Sequence, residues 1–252
     1  RLLFLLLWHL CASLALSMPS TLKGFCACGS MQLNVNNIST DTQVVDCHCP
    51  NCRKHHVSAF STFVVCDKES VAIHGDSLES MQHSCSEIGE VERLFCKNCF
   101  SKIATRNNDK TMVCMGLIKD ESIPKHLKTK WKKDRTNWQP DLAAKWTRAR
   151  PRLTRHGLPP STTVTGSCAC GQCAYEIPFE HPMELQHCYC KLCRQLSGSA
   201  FQTWVPVDHD DMIWRNEPPL VRTTDHGQRH VCHSCGGVLT IVYDDDPDFV
   251  WP

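Results

Sequence analysis

Two short stretches of this chain combine residue types and spacing suited to metal chemistry. Cys188, Cys190 and Cys193 stand at C-x-C-x-x-C spacing, and the sequence continues through Arg194 to Gly198-Ser199-Ala200-Phe201. Cys47, Cys49 and Cys52 repeat the pattern and lead through Arg53 to Val57-Ser58-Ala59-Phe60. Three thiolates this close can hold one ion and leave its fourth position open, the pattern of catalytic zinc. That position would take water, an exogenous thiolate or an aldehyde oxygen. A three-thiolate shell is electron-rich, so its zinc is a weaker Lewis acid than zinc held by three histidines. Delivering a bound thiolate suits it better than making hydroxide. Alternatively, His48, His55, His56 or His187 closes the shell and leaves the site structural.

A second ligand set combines C-x-C with a distant C-x-x-C: Cys26, Cys28, Cys96 and Cys99, then Cys168, Cys170, Cys232 and Cys235. Four thiolates make a closed tetrahedral shell, which is structural. Binding there would staple the ends of a small fold together and contribute directly to its folding free energy.

Nineteen cysteines in 252 residues admit a disulfide framework or a thiolate metal protein. The C-x-C pairs are too short to close on themselves without severe strain, and the total is odd. Metal is therefore expected. Cys11, Cys66, Cys85, Cys114 and Cys173 have no counterpart in the other half and are expected to be core thiols, and the histidines to be solvated loop residues.

The elements that must position these ligands come as an internal repeat. Cys26-Ala27-Cys28-Gly29 matches Cys168-Ala169-Cys170-Gly171 at an offset of 142. The triple-cysteine elements match at 141, and Cys96-x-x-Cys99 matches Cys232-x-x-Cys235 at 136. In each copy, runs such as Met31–Val35 and Ala174–Ile177 alternate apolar and polar residues as half-buried strands do. Ala59–Val65 and Ala200–Val205 carry the β-branched and aromatic content of strands. Neither copy offers a three-turn amphipathic helix. The reading is an all-β chain of two tandem zinc-binding domains, at 21–118 and 164–252.

Residues 119–163 are read as an extension of the first copy followed by a basic, Trp-containing linker, with some helix considered around Pro140 to Ala149. Residues 119–155 hold 12 Lys/Arg against 4 Asp/Glu. A solvated connector explains this charge; contact with nucleic acid or an acidic partner is the alternative. The net charge of +1 points to no partner class. Residues 1–20 precede the first motif. Arg1 and the run Leu2–Leu7 resemble a secretory signal, or are upstream sequence brought in by a faulty gene model. Either way 1–17 is expected outside the fold, with a cytoplasmic location if it is not a signal and secretion if it is. At the other end, Asp248–Pro252 matches Thr111–Ile118 only in part, so the second copy is expected to be C-terminally truncated.

Both copies resemble the glutathione-dependent formaldehyde-activating enzyme (GFA) family, also called the centromere protein V/GFA domain. The resemblance rests on C-x-C-G, on C-x-C-x-x-C-R followed by (G)-S-A-F, and on the final C-x-x-C. It implies an Mss4-like fold with one four-Cys and one three-Cys zinc per domain, four zinc ions per chain. It also implies a carbon–sulfur lyase that condenses formaldehyde with glutathione to S-hydroxymethylglutathione and reverses the reaction. A small-molecule thiol and aldehyde would be the partners, with no membrane. Carried over, Cys47, Cys49, Cys52, Cys188, Cys190 and Cys193 would hold the catalytic zinc, and Gly198, Ser199 and Phe201 would shape the glutathione pocket. The first copy departs from the pattern with Val57 and Phe100 where the family has glycine. Side chains resist positive φ, so its pocket is expected to be altered. The second copy keeps Gly198 and Gly236 but has Tyr189 inside its C-x-C, and if only one copy is active it is expected to be the second. The rival function is a non-catalytic zinc scaffold whose basic linker contacts a partner.

Overall fold

The computed structural model describes residues 21–39, 41–85, 89–119, 127–130, 162–179 and 185–252. The signal-like start with Cys11, the helix considered near Pro140, and Trp131, Trp138 and Trp146 lie outside these residues, as does the side chain of Cys85.

The first copy runs β1 (Thr21–Phe25), β2 (Gln32–Asn36), β3 (Gln43–Cys47), α1 (Pro50–His56), β4 (Ser61–Asp67), β5 (Val71–His74), β6 (Leu78–Cys85), β7 (Gly89–Cys96), β8 (Lys102–Arg106) and β9 (Lys110–Cys114), followed by β10 (Leu127–Lys130). The second runs β11 (Thr162–Ser167), β12 (Cys173–Phe179), β13 (Gln186–Cys188), α2 (Lys191–Ser197), β14 (Gln202–Trp204), β15 (Val207–Asp208), β16 (Ile213–Asn216), β17 (Leu220–Thr224), β18 (Gly227–Val231), β19 (Val238–Tyr243) and β20 (Asp246–Trp251). The protein is all-β, with two short α-helices among the described residues. In β2 the expected alternation holds: Leu33 and Val35 are buried while Gln32 and Asn36 face out.

Both copies share one plan. A three-stranded sheet, β1-β2-β5 or β11-β12-β16, packs beside a larger one. In the first copy the larger sheet is continuous, β10-β3-β4-β9-β8-β7-β6. In the second it is divided into β13-β14 and β15-β20-β19-β18-β17. Pro206 explains the break. It stands where β4 has Val65, and a proline has no N–H to give a sheet ladder. The first copy also gains an edge: β10, from the basic extension, pairs in parallel with β3, Lys130 opposite Cys47.

The two helices escaped the sequence reading because each is only seven residues long. Each starts where the middle cysteine of C-x-C-x-x-C caps it: Cys49 Sγ accepts from the Cys52 amide and Cys190 Sγ from the Cys193 amide, both at 3.3 Å. Each ends on a left-handed residue, Val57 (φ 50°) or Gly198 (φ 69°). Phe100 likewise keeps the positive φ of its counterpart Gly236, 61° against 65°. The side chains at 57 and 100 therefore do not prevent the backbone turn. They carry its steric cost, about 1–2 kcal/mol each.

The copies pack against each other about an approximate two-fold axis, because residues meet their own repeat equivalents. Phe60 and Phe201 stand ring to ring at 5.3 Å and 88°. The Ser199 hydroxyl is 3.4 Å from that of Ser58, and His56 Nδ1 is 2.6 Å from the Ser197 carbonyl. Lys102, buried, donates to the carbonyls of both Phe100 and Gly236. A shared core of Phe95, Phe100, Trp204, Val231, Val238 and Ile241 fills the contact. This is the self-complementary geometry of an isologous dimer, here inside one chain.

His48, His55 and His56 are buried rather than solvated. A carbonyl only accepts, so the proton of neutral His56 sits on Nδ1. Burial, then the charge of Arg93, pulls its pKa down from 6.5 to about 3. Between those values the unfolded chain binds the extra proton, so stability falls as pH drops below 6.5, by about 1.4 kcal/mol per unit for this one group. Chemical denaturation of wild type and His56→Asn from about pH 7 to about pH 5.5 is expected to show a shallower pH slope for the variant, whose amide can still donate to Ser197. Parallel slopes would remove His56 as the cause.

Candidate metal centres

Each expected four-cysteine set comes together, with the sulfurs of Cys26, Cys28, Cys96 and Cys99, and of Cys168, Cys170, Cys232 and Cys235, all within 4.8 Å of one another. The sheets do this by bringing the turn between the first two strands of each copy beside the knuckle that follows β7 or β18. The two loops are built alike. The Gly29 and Gly171 amides close the C-x-C-G turns onto the Cys26 and Cys168 carbonyls, at 3.1 and 3.2 Å. The Phe100 and Gly236 amides close the C-x-x-C knuckles onto the Cys96 and Cys232 carbonyls, at 2.7 and 2.9 Å. Backbone N–H groups point at sulfur: Met31 N to Cys26 Sγ at 3.2 Å, Cys173 N to Cys168 Sγ at 3.3 Å. Such donors favour the thiolate, the form that binds metal.

Sulfur separations test the fit. Tetrahedral zinc–sulfur bonds of about 2.3 Å place neighbouring sulfurs about 3.8 Å apart. Cys28–Cys96 is 3.8 Å, Cys170–Cys232 3.6 Å, Cys26–Cys28 3.5 Å and Cys168–Cys170 3.4 Å. A disulfide needs about 2.0 Å, and all of these cysteines are free. The spacing is that of a metal shell.

The two three-cysteine sets also converge: Cys47, Cys49 and Cys52, and Cys188, Cys190 and Cys193, each have their sulfurs within 4.8 Å. Among the described residues no histidine, aspartate or glutamate donor joins either set, so the shell-closing histidine considered above is not in place. The copies differ in access. Cys47 and Cys49 are buried and Cys52 half-buried, whereas Cys188 is half-buried and Cys190 exposed. Strand β10 pairs with the β3 edge of the first copy, Lys130 opposite Cys47. Burial pushes the Cys190 thiol up, but the Cys193 amide and the Cys188 and Cys193 thiols outweigh it and bring its pKa below the ordinary value.

Around the second set lie His187, considered above as a donor, and residues that spacing alone did not single out. The rings of His187 and Tyr189 flank Phe201 at 4.7 and 5.1 Å, and Tyr189 is 45% exposed beside Cys190. Arg229 Nη2 lies 3.6 Å from Cys193 Sγ, and its repeat equivalent Arg93 lies 4.0 Å from Cys52 Sγ. The only signal for these arginines was their position, three residues before each C-x-x-C. Gly198, Ser199 and Phe201, expected to shape a pocket, are turned largely toward the first copy. Ser199 Oγ donates to the Phe60 carbonyl at 2.6 Å. A Cβ on Gly198 would meet Cys114 Cβ at 2.7 Å. The Phe201 ring meets Phe60 across the contact and also stands against His187 and Tyr189, the residues on either side of Cys188. Cys66, Cys114 and Cys173 are buried thiols, as expected.

Fold and clusters together define an all-β protein with four cysteine clusters able to hold metal ions. The family model described as "Glutathione-dependent formaldehyde-activating enzyme" (GFA) matches residues 21–139 and 163–250. The chain belongs to that family. A protein of Halomonas elongata named "Putative glutathione-dependent formaldehyde-activating enzyme" is 26% identical over 97 residues, 35% of this chain and 62% of the relative. The matched part thus spans less than two thirds of that relative's length. Among the described residues no helix is long and apolar enough to cross a membrane.

Proposed function

We propose that residues 21–118 and 164–252 are two zinc domains with four zinc ions between them, and that the chain is a carbon–sulfur lyase acting on glutathione–aldehyde adducts. The observation that carries this is the contrast in donor number: two clusters of four thiolates, and two of three with no further donor among the described residues. The four-cysteine clusters hold the fold. Zinc in a three-cysteine cluster would supply a place where an incoming thiol is held as its thiolate. The second copy is the working one, because Cys190 is exposed there whereas Cys47 and Cys49 of the first copy are buried. Tyr189, His187 and Phe201 wall the approach.

In the forward direction the thiolate sulfur forms a bond to the carbonyl carbon. The C=O π pair moves to oxygen, which takes the proton lost when the thiol ionised, giving the S-hydroxyalkyl adduct. Reversal breaks the carbon–sulfur bond and releases aldehyde and thiol. The protein's own task is to exclude bulk water and orient the two partners. NMR exchange measurements with glutathione and formaldehyde are expected to show faster adduct formation with the zinc-loaded chain, lost in Cys190→Ser. A fully loaded wild type that leaves the exchange rate unchanged would sink the proposal. The surplus of basic residues in 119–155 favours the second reading, a non-catalytic scaffold. It requires salt-sensitive nucleic-acid binding that disappears when 119–155 is deleted.

A further inference from the structure

Arg93 and Arg229 are 136 residues apart, the offset of the closing C-x-x-C pairs. Both are buried, 4% and 3% exposed, yet among the described residues neither pairs with a carboxylate. A guanidinium stays charged in proteins, and burying it without a negative partner is costly. Each has instead a three-cysteine cluster beside it. Arg229 Nη2 points at Cys193 Sγ, while Nη1 donates to Gln202 Oε1 at 3.4 Å and the guanidinium lies 5.7 Å from the centre of the Trp204 ring. Arg93 Nη2 points at Cys52 Sγ, and Nη1 donates to the Asn51 carbonyl at 3.4 Å. The same placement arises in both copies from different neighbours.

Charge counting shows what the placement does. A divalent ion with three thiolates carries one net negative charge. A neutral fourth donor leaves it there, and the arginine balances it. A fourth thiolate adds a second negative charge, which would be strongly opposed in a partly buried site without a fixed cation close by. We propose that Arg229, and Arg93 in the first copy, are positioning residues that select the fourth donor, favouring the anionic sulfur of a small thiol over a neutral donor. The inference rests on the three-cysteine clusters holding metal, as proposed above.

The test uses the full-length chain loaded with cobalt(II), whose thiolate charge-transfer bands report sulfur ligation. Titrants are 2-mercaptoethanol, which has no carboxylate for an arginine to bind, and imidazole as a neutral donor. In Arg229→Met, the share of the signal from the second copy is expected to bind 2-mercaptoethanol at least about tenfold more weakly, with imidazole affinity kept within about twofold. Arg229→Lys, which keeps the charge, should stay within about threefold of wild type. If Arg229→Met does not fold, Arg93→Met is judged by the same criterion on the first copy's share. Equal weakening of both titrants would assign the arginines a merely structural role, and unchanged thiol affinity would overturn the proposal outright. A wild type that loads no metal at the three-cysteine clusters would overturn this proposal and the functional reading together. A loaded wild type with thiol affinity indifferent to Arg→Met overturns this one alone.

Discussion

Cys232→Ser is expected to unfold the second copy, whereas Cys190→Ser is expected to leave the fold in place with one metal ion fewer. Both lose a single sulfur, but from clusters to which the proposed function gives different roles. Cys232 Sγ, fully buried, sits 3.6 Å from Cys170 Sγ and closes the end of β18 onto the loop before β12. Structural zinc in small peptides is worth on the order of 10 kcal/mol or more, and a domain's net stability is about 5–15 kcal/mol. Losing that shell therefore removes most or all of the margin. Cys190 stands at the start of a seven-residue helix, and its loss costs a cap, about 1 kcal/mol. Metal analysis with thermal denaturation separates the cases. Wild type should hold one ion for each of the four clusters, Cys190→Ser one fewer with a near-native melt, and Cys232→Ser should show a destabilised second copy. A metal content of two or fewer in intact wild type, or a Cys232→Ser melt matching wild type, would refute the assignment of roles.

Phe100→Gly restores the glycine that the family pattern has there, and it is expected to weaken the protein by roughly 1–4 kcal/mol. The gain is release of the positive-φ cost, about 1–2 kcal/mol. The loss is larger. The Phe100 ring is buried in the core between the copies, stacked 6.2 Å from Phe95 and covered by the Arg222 guanidinium at 5.2 Å. Deleting a ring so placed costs about 3–5 kcal/mol. Its equivalent, Gly236, has no such room: a Cβ there would meet Phe95 Cδ2 at 2.7 Å. One copy offers the ring and the other the space. Urea denaturation should show the loss, and a Phe100→Gly chain as stable as wild type would mean that the ring contributes nothing beyond the strain it bears.

Much of the site could be read directly from residue spacing. A C-x-C element can neither bridge itself nor vary much in geometry, so its cysteines point to metal before any fold is known. Matching offsets of 142, 141 and 136 then pair each element with its counterpart. The grouping of all fourteen cluster cysteines into four sets is what the structure shows. Alternating patterns such as Met31–Val35 marked strands because a period of two is local. The seven-residue helices were hidden because a helix that short buries too little to show a period. The buried His48, His55 and His56 were hidden because burial is decided by what packs on top.

By itself, then, the sequence determined the ligand sets, their repetition and the β character of each copy, since all three follow from spacing along the chain. Only the tertiary structure decided what lies across from what. It turned Gly198 and Ser199 toward the first copy, set Gly236 against Phe95, paired β10 with the β3 edge at Cys47, and brought two buried arginines against sulfur. These contacts join residues 36 to 141 positions apart. No local pattern encodes such distances, because they depend on how two similar but unequal surfaces fill one shared core.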